Sequence, residues 1–123
     1  MILGIGTDIV KLKRIAALHK KHGSLFLSKI LSPEEMELLP KNWLPFAGGR
    51  FAAKEALVKA LGGREFSFSD ISILNEANGK PVFGGVDIIA PIVKVSAAKL
   101  NICVSISHEQ DYATAVVIIE KKP

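Results

Sequence analysis

Residues 46–61, FAGGRFAAKEALVKAL, constrain the fold more than any other stretch of the chain. Phe51, Ala52, Ala53, Ala56, Leu57, Val58, Ala60 and Leu61 leave no wide polar face. A helix that is apolar nearly all round is buried, and Gly62-Gly63 supplies its stop. The remainder of the chain therefore has to wrap this helix on several sides.

The wrapping elements can be read from pattern. Residues 2–5 predict a short apolar strand, interrupted by glycines at 4 and 6 where a backbone or ligand comes close. Asp8 is then expected at or just past the strand end. Residues 11–22 place Leu12, Ile15, Ala16 and Leu18 at mixed helical spacing, and Gly23 ends that helix. Ser32-Pro33-Glu34-Glu35 predicts a helix start, with Ser at the N-cap, Pro in the first position and Glu at the capping-box position. That helix is short and ends near Pro40.

The second half predicts strands. Ile71 and Ile73 alternate with polar residues, and Asn78-Gly79-Lys80-Pro81 is a turn. Residues 102–107 and 112–119 are rich in β-branched side chains and pair across His108-Glu109-Gln110-Asp111. Across 86–100, Pro91 argues against one continuous helix, leaving room for a shorter one over about 91–100. A strand, then helices, then a mostly antiparallel β half is an α+β domain.

The chain has 123 residues, which is one domain over 1–123 by the usual prior. Its 49% apolar and 23% charged residues exclude disorder and collagen-like classes. The lone Cys103 rules out an intrachain disulfide and fits a reducing, cytoplasmic setting. No apolar run reaches the ~20 residues of a membrane span. The opening residues lack the basic start of a signal peptide.

The net charge of +4 is unevenly spread. Lys11, Lys13, Arg14, Lys20, Lys21 and Lys29 lie between Asp8 and Glu34 with no acid among them. Such a block points to an anionic partner; a solvated helix face is the plain alternative.

Glu55 and Lys59 stand four apart on the buried helix, so they share a face. A buried carboxylate is costly unless it is paired or binds a metal, and a structural ion pair is the simpler outcome. Asp8 is the second carboxylate of interest. Alone it reads as a turn or capping residue; beside Glu55 it would make a hard-oxygen site of the kind that holds Mg²⁺ with substrate phosphates. Ser105, Ser107 and His108 end a strand. Adjacent strand residues face opposite ways, which suits a phosphate contact better than a nucleophile and its base. His19 and His22 read as surface residues. Gly4-x-Gly6 lacks the third glycine and the βαβ setting of a dinucleotide fingerprint.

Three segments taken together carry more. They are Gly4-Ile5-Gly6-Thr7-Asp8-Ile9-Val10, then Gly49-Arg50-Phe51-Ala52-Ala53-Lys54-Glu55-Ala56-Leu57-Val58-Lys59-Ala60-Leu61-Gly62, then Val104-Ser105-Ile106-Ser107-His108. In order and spacing they resemble the signature segments of the holo-acyl-carrier-protein synthases, the small 4′-phosphopantetheinyl transferases. The resemblance spans essentially the whole chain. It departs at Lys11, where relatives carry an acid, at Cys103, where many carry His, and at Glu109, where a hydroxyl is usual.

The resemblance implies transfer of 4′-phosphopantetheine from coenzyme A to a serine of apo acyl carrier protein, a step serving fatty acid biosynthesis. Adenosine 3′,5′-bisphosphate is the other product. It implies Mg²⁺ on Asp8 and Glu55, with Lys59 facing the pyrophosphate. Glu55 is then a base for the serine proton, directly or through a water on the metal. Arg50, Gly62, Ser107 and His108 are implied to meet coenzyme A, Ser107, His108 and Arg50 at its nucleotide end. The implied assembly is a homotrimer with sites at subunit interfaces. The implied docking surface for acyl carrier protein is the basic first helix, including Arg14. The competing class is a small basic nucleic-acid-binding domain, supported only by the net charge and the basic helix. It leaves Asp8 and Glu55 unexplained.

Overall fold

The structure, a computed structural model, describes residues 1–123. The long helix α4 runs Trp43–Ala60 and carries the centre of the core. It starts three residues earlier than expected. Pro45 falls in its first turn, where an amide N–H has no helical partner anyway. Gly62 and Gly63 adopt φ of 70° and 90° and close its far end, as the sequence requires.

An antiparallel sheet of order β1-β5-β4 covers one side of α4, built from β1 (Ile2–Lys11), β4 (Leu100–His108) and β5 (Tyr112–Lys121). Ala113, Ala115, Val117 and Ile119 of β5 alternate inward onto Ala52, Ala53, Ala56 and Ala60. Small residues on both sides let the helix sit low on the sheet. Gly4 and Gly6 take this to its limit. A Cβ at Gly4 would collide with the carbonyl oxygen of Ala60, and one at Gly6 with that of Ala56. The glycines therefore mark a close approach of backbone to backbone.

The expectation for Asp8 needs correcting. β1 does not stop near residue 5 but pairs with β5 through to Lys11, and Asp8 lies inside it opposite Ala115. The ten-residue β5 offers a ladder partner to every β1 position but Leu3, which sits at an irregularity between Ile2 and Gly4, and this outweighs the interruption by glycine.

The helices α1 (Leu12–His22), α2 (Ser24–Ile30) and α3 (Pro33–Glu37) wrap the start of α4. Gly23, at φ 65°, separates α1 from α2; α2 had no counterpart in the sequence reading. Ser32 and Glu35 form the expected capping box of α3. A hairpin of β2 (Ser72–Asn75) and β3 (Pro81–Gly84) turns at Gly79 and packs beside β4.

The expected helix over 91–100 lies earlier. α5 spans Val86–Val93 with Pro91 inside it and ends at Lys94 in the left-handed region. Proline forfeits one hydrogen bond there, and the helix survives only two residues beyond it. Ile89 and Ala90 are buried, so packing holds what propensity opposes.

Candidate active site

The register of β1 and the pitch of α4 together build the site. Asp8 shares the inward face of β1 with Gly6 and Val10, at the side of α4 where Glu55 and Lys59 emerge. Because Gly6 brings the two backbones together, Lys59 reaches across. Its Nζ donates to Asp8 Oδ1 and to the Thr7 carbonyl, both at 3.1 Å.

This overturns two sequence expectations. Lys59 does not pair with Glu55; its partner is Asp8. Nor is the pair buried, since the Lys59 side chain is 58% exposed and that of Asp8 17%. An ion pair this open adds little to stability. The arrangement concentrates charge at an accessible place.

Glu55 is half-buried beside them. Burial pushes its carboxyl above the ordinary carboxylate range, and the Asp8 charge adds to that. Arg14 and Lys59 pull it back, and Glu65 pushes weakly upward. Arg14 on α1 therefore stands at the edge of this cluster as well as on the basic helix. Two neighbouring carboxylates, flanked by two cations, form a donor set short of positive charge at its centre. No third His, Cys, Asp or Glu completes a metal cage. Two carboxylates fit Mg²⁺, which is usually held by one or two of them plus phosphate oxygens and water.

The other expected residues lie apart from this cluster within one chain. Directly opposed residues of an antiparallel pair share a face, so Ser107, opposite Thr114 and in line with Ile9, is on the outer face of the sheet. Asp8 is on the inner one. Ser107 and His108 line a shallow cavity of about 290 Å³ with Ile9, Glu109, Tyr112 and Thr114. Gly62 is exposed just beyond α4. Arg50 is on a different side of α4 from Glu55, with 8% of its surface exposed.

The buried charges of this helix are Arg50, expected at coenzyme A, and Lys54, to which the sequence reading gave no role. Lys54 Nζ donates to the Ile30 carbonyl at 2.8 Å, the Phe68 carbonyl at 2.9 Å and Glu35 Oε1 at 2.5 Å. Glu35 also accepts from the amides of Ser32 and Ile73. The available signal was spacing. Arg50, Lys54, Leu57 and Leu61 fall on one helical stripe, and a cation on an apolar stripe requires a buried acid.

The chain is similar to known proteins over nearly its whole length. A family model described as the 4′-phosphopantetheinyl transferase superfamily matches residues 4–117. A holo-[acyl-carrier-protein] synthase of Geobacillus is 47% identical over 98% of this chain and 98% of its own. The crystal structure of the synthase from Neisseria meningitidis superposes with a TM-score of 0.87 at 40% identity, covering 98% of this chain and 100% of that one. The structure of a Bacillus anthracis holo-(acyl-carrier-protein) synthase in complex with CoA (3′,5′-ADP) is also similar. Its TM-score is 0.79 at 36% identity, covering 99% of each chain.

Proposed function

The chain belongs to the 4′-phosphopantetheinyl transferase superfamily and is an enzyme of the holo-acyl-carrier-protein synthase type, and we propose that it carries out a Mg²⁺-dependent transfer from coenzyme A to a serine of apo acyl carrier protein. The single observation that carries the chemistry is the convergence of Asp8, Glu55 and Lys59 at an open edge between β1 and α4.

In the proposed reaction the serine oxygen attacks the phosphorus attached to pantetheine. The bond from that phosphorus to the bridging oxygen breaks, and adenosine 3′,5′-bisphosphate leaves with the electron pair. Glu55 takes the serine proton, directly or through a water. Lys59 exchanges its contact with Asp8 for one with the diphosphate, placing a point charge where the leaving oxygen becomes negative. Asp8 and Glu55 would hold Mg²⁺, which when bound neutralises charge on the diphosphate. Gly62, exposed just beyond α4, would let coenzyme A approach the end of the helix.

Ser107 and His108, with the Arg50 side of α4, are proposed to serve the nucleotide end of the donor. Ser107 lies on the opposite face of the sheet from Asp8, so each site would draw it from a neighbouring copy. That is the support for a homotrimer, together with an apolar outer sheet face. Ile5 is 65% exposed there and Ile9 62%, and apolar patches of this kind mark contact surfaces. The basic stretch of α1, including Arg14, would steer the acidic carrier protein toward Glu55. No helix is long and apolar enough to cross a membrane.

Intact-protein mass spectrometry tests the proposal. Incubation with coenzyme A, Mg²⁺ and apo acyl carrier protein should add one phosphopantetheine to the carrier, and EDTA should prevent it. No addition with a folded enzyme and several carriers would refute it. A nucleic-acid-binding role would instead appear as heat protection by RNA and none by coenzyme A with Mg²⁺.

A further inference from the structure

His19 reads from the sequence as a surface residue, yet the structure half-buries it. It falls on the inward stripe of α1, four residues after Ile15 and seven after Leu12, both of which are buried. Beyond Ile15 no residue of α1 is fully buried. What the stripe offers there is the imidazole of His19. Its ring centroid lies 4.5 Å from that of Trp43, with the planes tilted by 51°. That distance is at the close end of favourable aromatic pairs. Trp43 is the first residue of α4 and packs against both the main core and the smaller cluster of Leu27, Ile30, Leu31 and Ala47. It gives the stack a firm base.

The two ends of α1 are held differently. At its start the chain enters directly from β1, the Leu12 amide donates to the Asp111 carbonyl at 2.9 Å, and Leu12 and Ile15 are buried. At its far end the last turn holds His19, Lys20, Lys21 and His22, and Gly23 turns the chain at φ 65° into α2. Lys20, Lys21 and His22 are exposed, and Leu18 lines a cavity with Leu25 and Phe26 of α2. The stack of His19 on Trp43 is the aromatic tie between this basic end and α4.

We propose that His19 is a positioning residue for the carrier protein: stacked on Trp43, it seats the basic C-terminal end of α1 on α4 before the carrier arrives. This rests on the function proposed above, in which α1 receives the acidic carrier. A seated helix end presents Lys20 and Lys21 in one arrangement. A loose one has to be ordered at the moment of docking, and that cost lowers the affinity for the carrier.

The test compares wild type with His19→Ala, His19→Phe and Trp43→Leu. Alanine favours a helix more than histidine does, so loosening in His19→Ala comes from the lost ring and not from propensity. Amide exchange from Lys20 to Gly23, read without any substrate, should accelerate in His19→Ala and stay near wild type in His19→Phe. The Gly23 amide, which donates to the His19 carbonyl at 2.7 Å, reports the last turn directly. The chain has one tryptophan, so its emission reports this contact and should shift to the red in His19→Ala. In steady-state kinetics His19→Ala should raise KM for apo acyl carrier protein roughly three- to tenfold, the range an aromatic pair is worth, with KM for coenzyme A and kcat within about twofold of wild type. Phenylalanine should restore KM for the carrier. Trp43→Leu should match His19→Ala, and the double variant should lose no more than the worse single one. Trp43 also packs in the core, so the His19 variants decide where Trp43→Leu does not fold.

An unchanged KM for the carrier in His19→Ala would overturn the proposal. So would an equal rise in KM for coenzyme A, which marks general loosening. Failure of phenylalanine to restore KM would also overturn it, since the imidazole would then make a polar contact with the carrier. If the wild-type enzyme modified no carrier, the transferase reading would fall. Exchange in the last turn would still decide whether the stack seats α1.

Discussion

Lys54 is fully buried, and replacing it with methionine keeps the volume and the flexible stem while removing the ammonium. Two effects follow. The carbonyls of Ile30 and Phe68 lose their donor, at about 1–3 kcal/mol for each buried group left unsatisfied. Glu35 keeps its bonds from the Ser32 and Ile73 amides but loses its ammonium, and breaking one side of a buried pair costs about 3–5 kcal/mol. These costs overlap, because the second figure already contains the unsatisfied partners. The expected loss is therefore about 3–5 kcal/mol. With a urea m-value of about 2 kcal/mol per molar, the unfolding midpoint falls by roughly 1.5–2.5 M.

Glu35→Gln in the Lys54→Met background removes the stranded charge, so the double variant should be more stable than the sum of the singles by about 1–3 kcal/mol. Burial pushes the Lys54 ammonium below the ordinary lysine range while Glu35 draws it back up. A midpoint shift under ~0.5 M, or simple additivity, would show that the pair carries little charge in the folded protein and would refute the calculation.

Asp8→Ala and Glu55→Ala should each abolish phosphopantetheine transfer while unfolding within about 1 kcal/mol of wild type, since the Asp8–Lys59 pair is open to solvent; activity in either, by the mass assay, would remove the metal assignment. Arg14→Glu should raise KM for acyl carrier protein more than KM for coenzyme A in steady-state kinetics, and equal effects would discard the docking role. Gly6→Ala should cost at least about 1–3 kcal/mol and most of the activity, because its Cβ meets the Ala56 carbonyl and the Ala60 amide, which belong to a rigid helix. Hydrogen bonds from the backbone first, then from Ser72 and Ser32, hold the Glu34 carboxyl below its ordinary value. Its contribution is present above the ordinary carboxylate range and is lost as pH falls through the lowered value. Glu34→Gln should accordingly flatten the acid limb of thermal stability against pH.

The sequence disclosed α4, α1, the α3 capping box and the β4–β5 hairpin because each rests on local signals. Apolar patterning, a serine before a proline and a β-branched run state their own structure. The length of β1 was not legible, since only its partner β5 extends it past the glycines. Nor was α5, where burial of Ile89 and Ala90 overrides Pro91. Within the candidate site, Asp8, Glu55 and Lys59 were readable as residues. The pairing of Lys59 with Asp8 instead of Glu55 depends on the closeness of two elements far apart in sequence. The buried Lys54–Glu35 contact was hidden for a similar reason. Glu35 already had a local explanation as a capping residue, and its second role appears only when α3 is packed on α4.

The contact of β1 with α4 at Gly4 and Gly6 also separates two ways in which this protein can change. The spacing between the strand that carries Asp8 and the helix that carries Glu55 and Lys59 is set by main-chain atoms meeting main-chain atoms. No rotamer lies between them there to relax or tighten. Exchanges among the larger core side chains, such as Ile15 or Leu57 for smaller apolar residues, would lower stability while leaving that spacing in place. Lineages of this chain are then free to wander in core composition and melting temperature without drifting in chemistry, so long as two positions remain without a side chain.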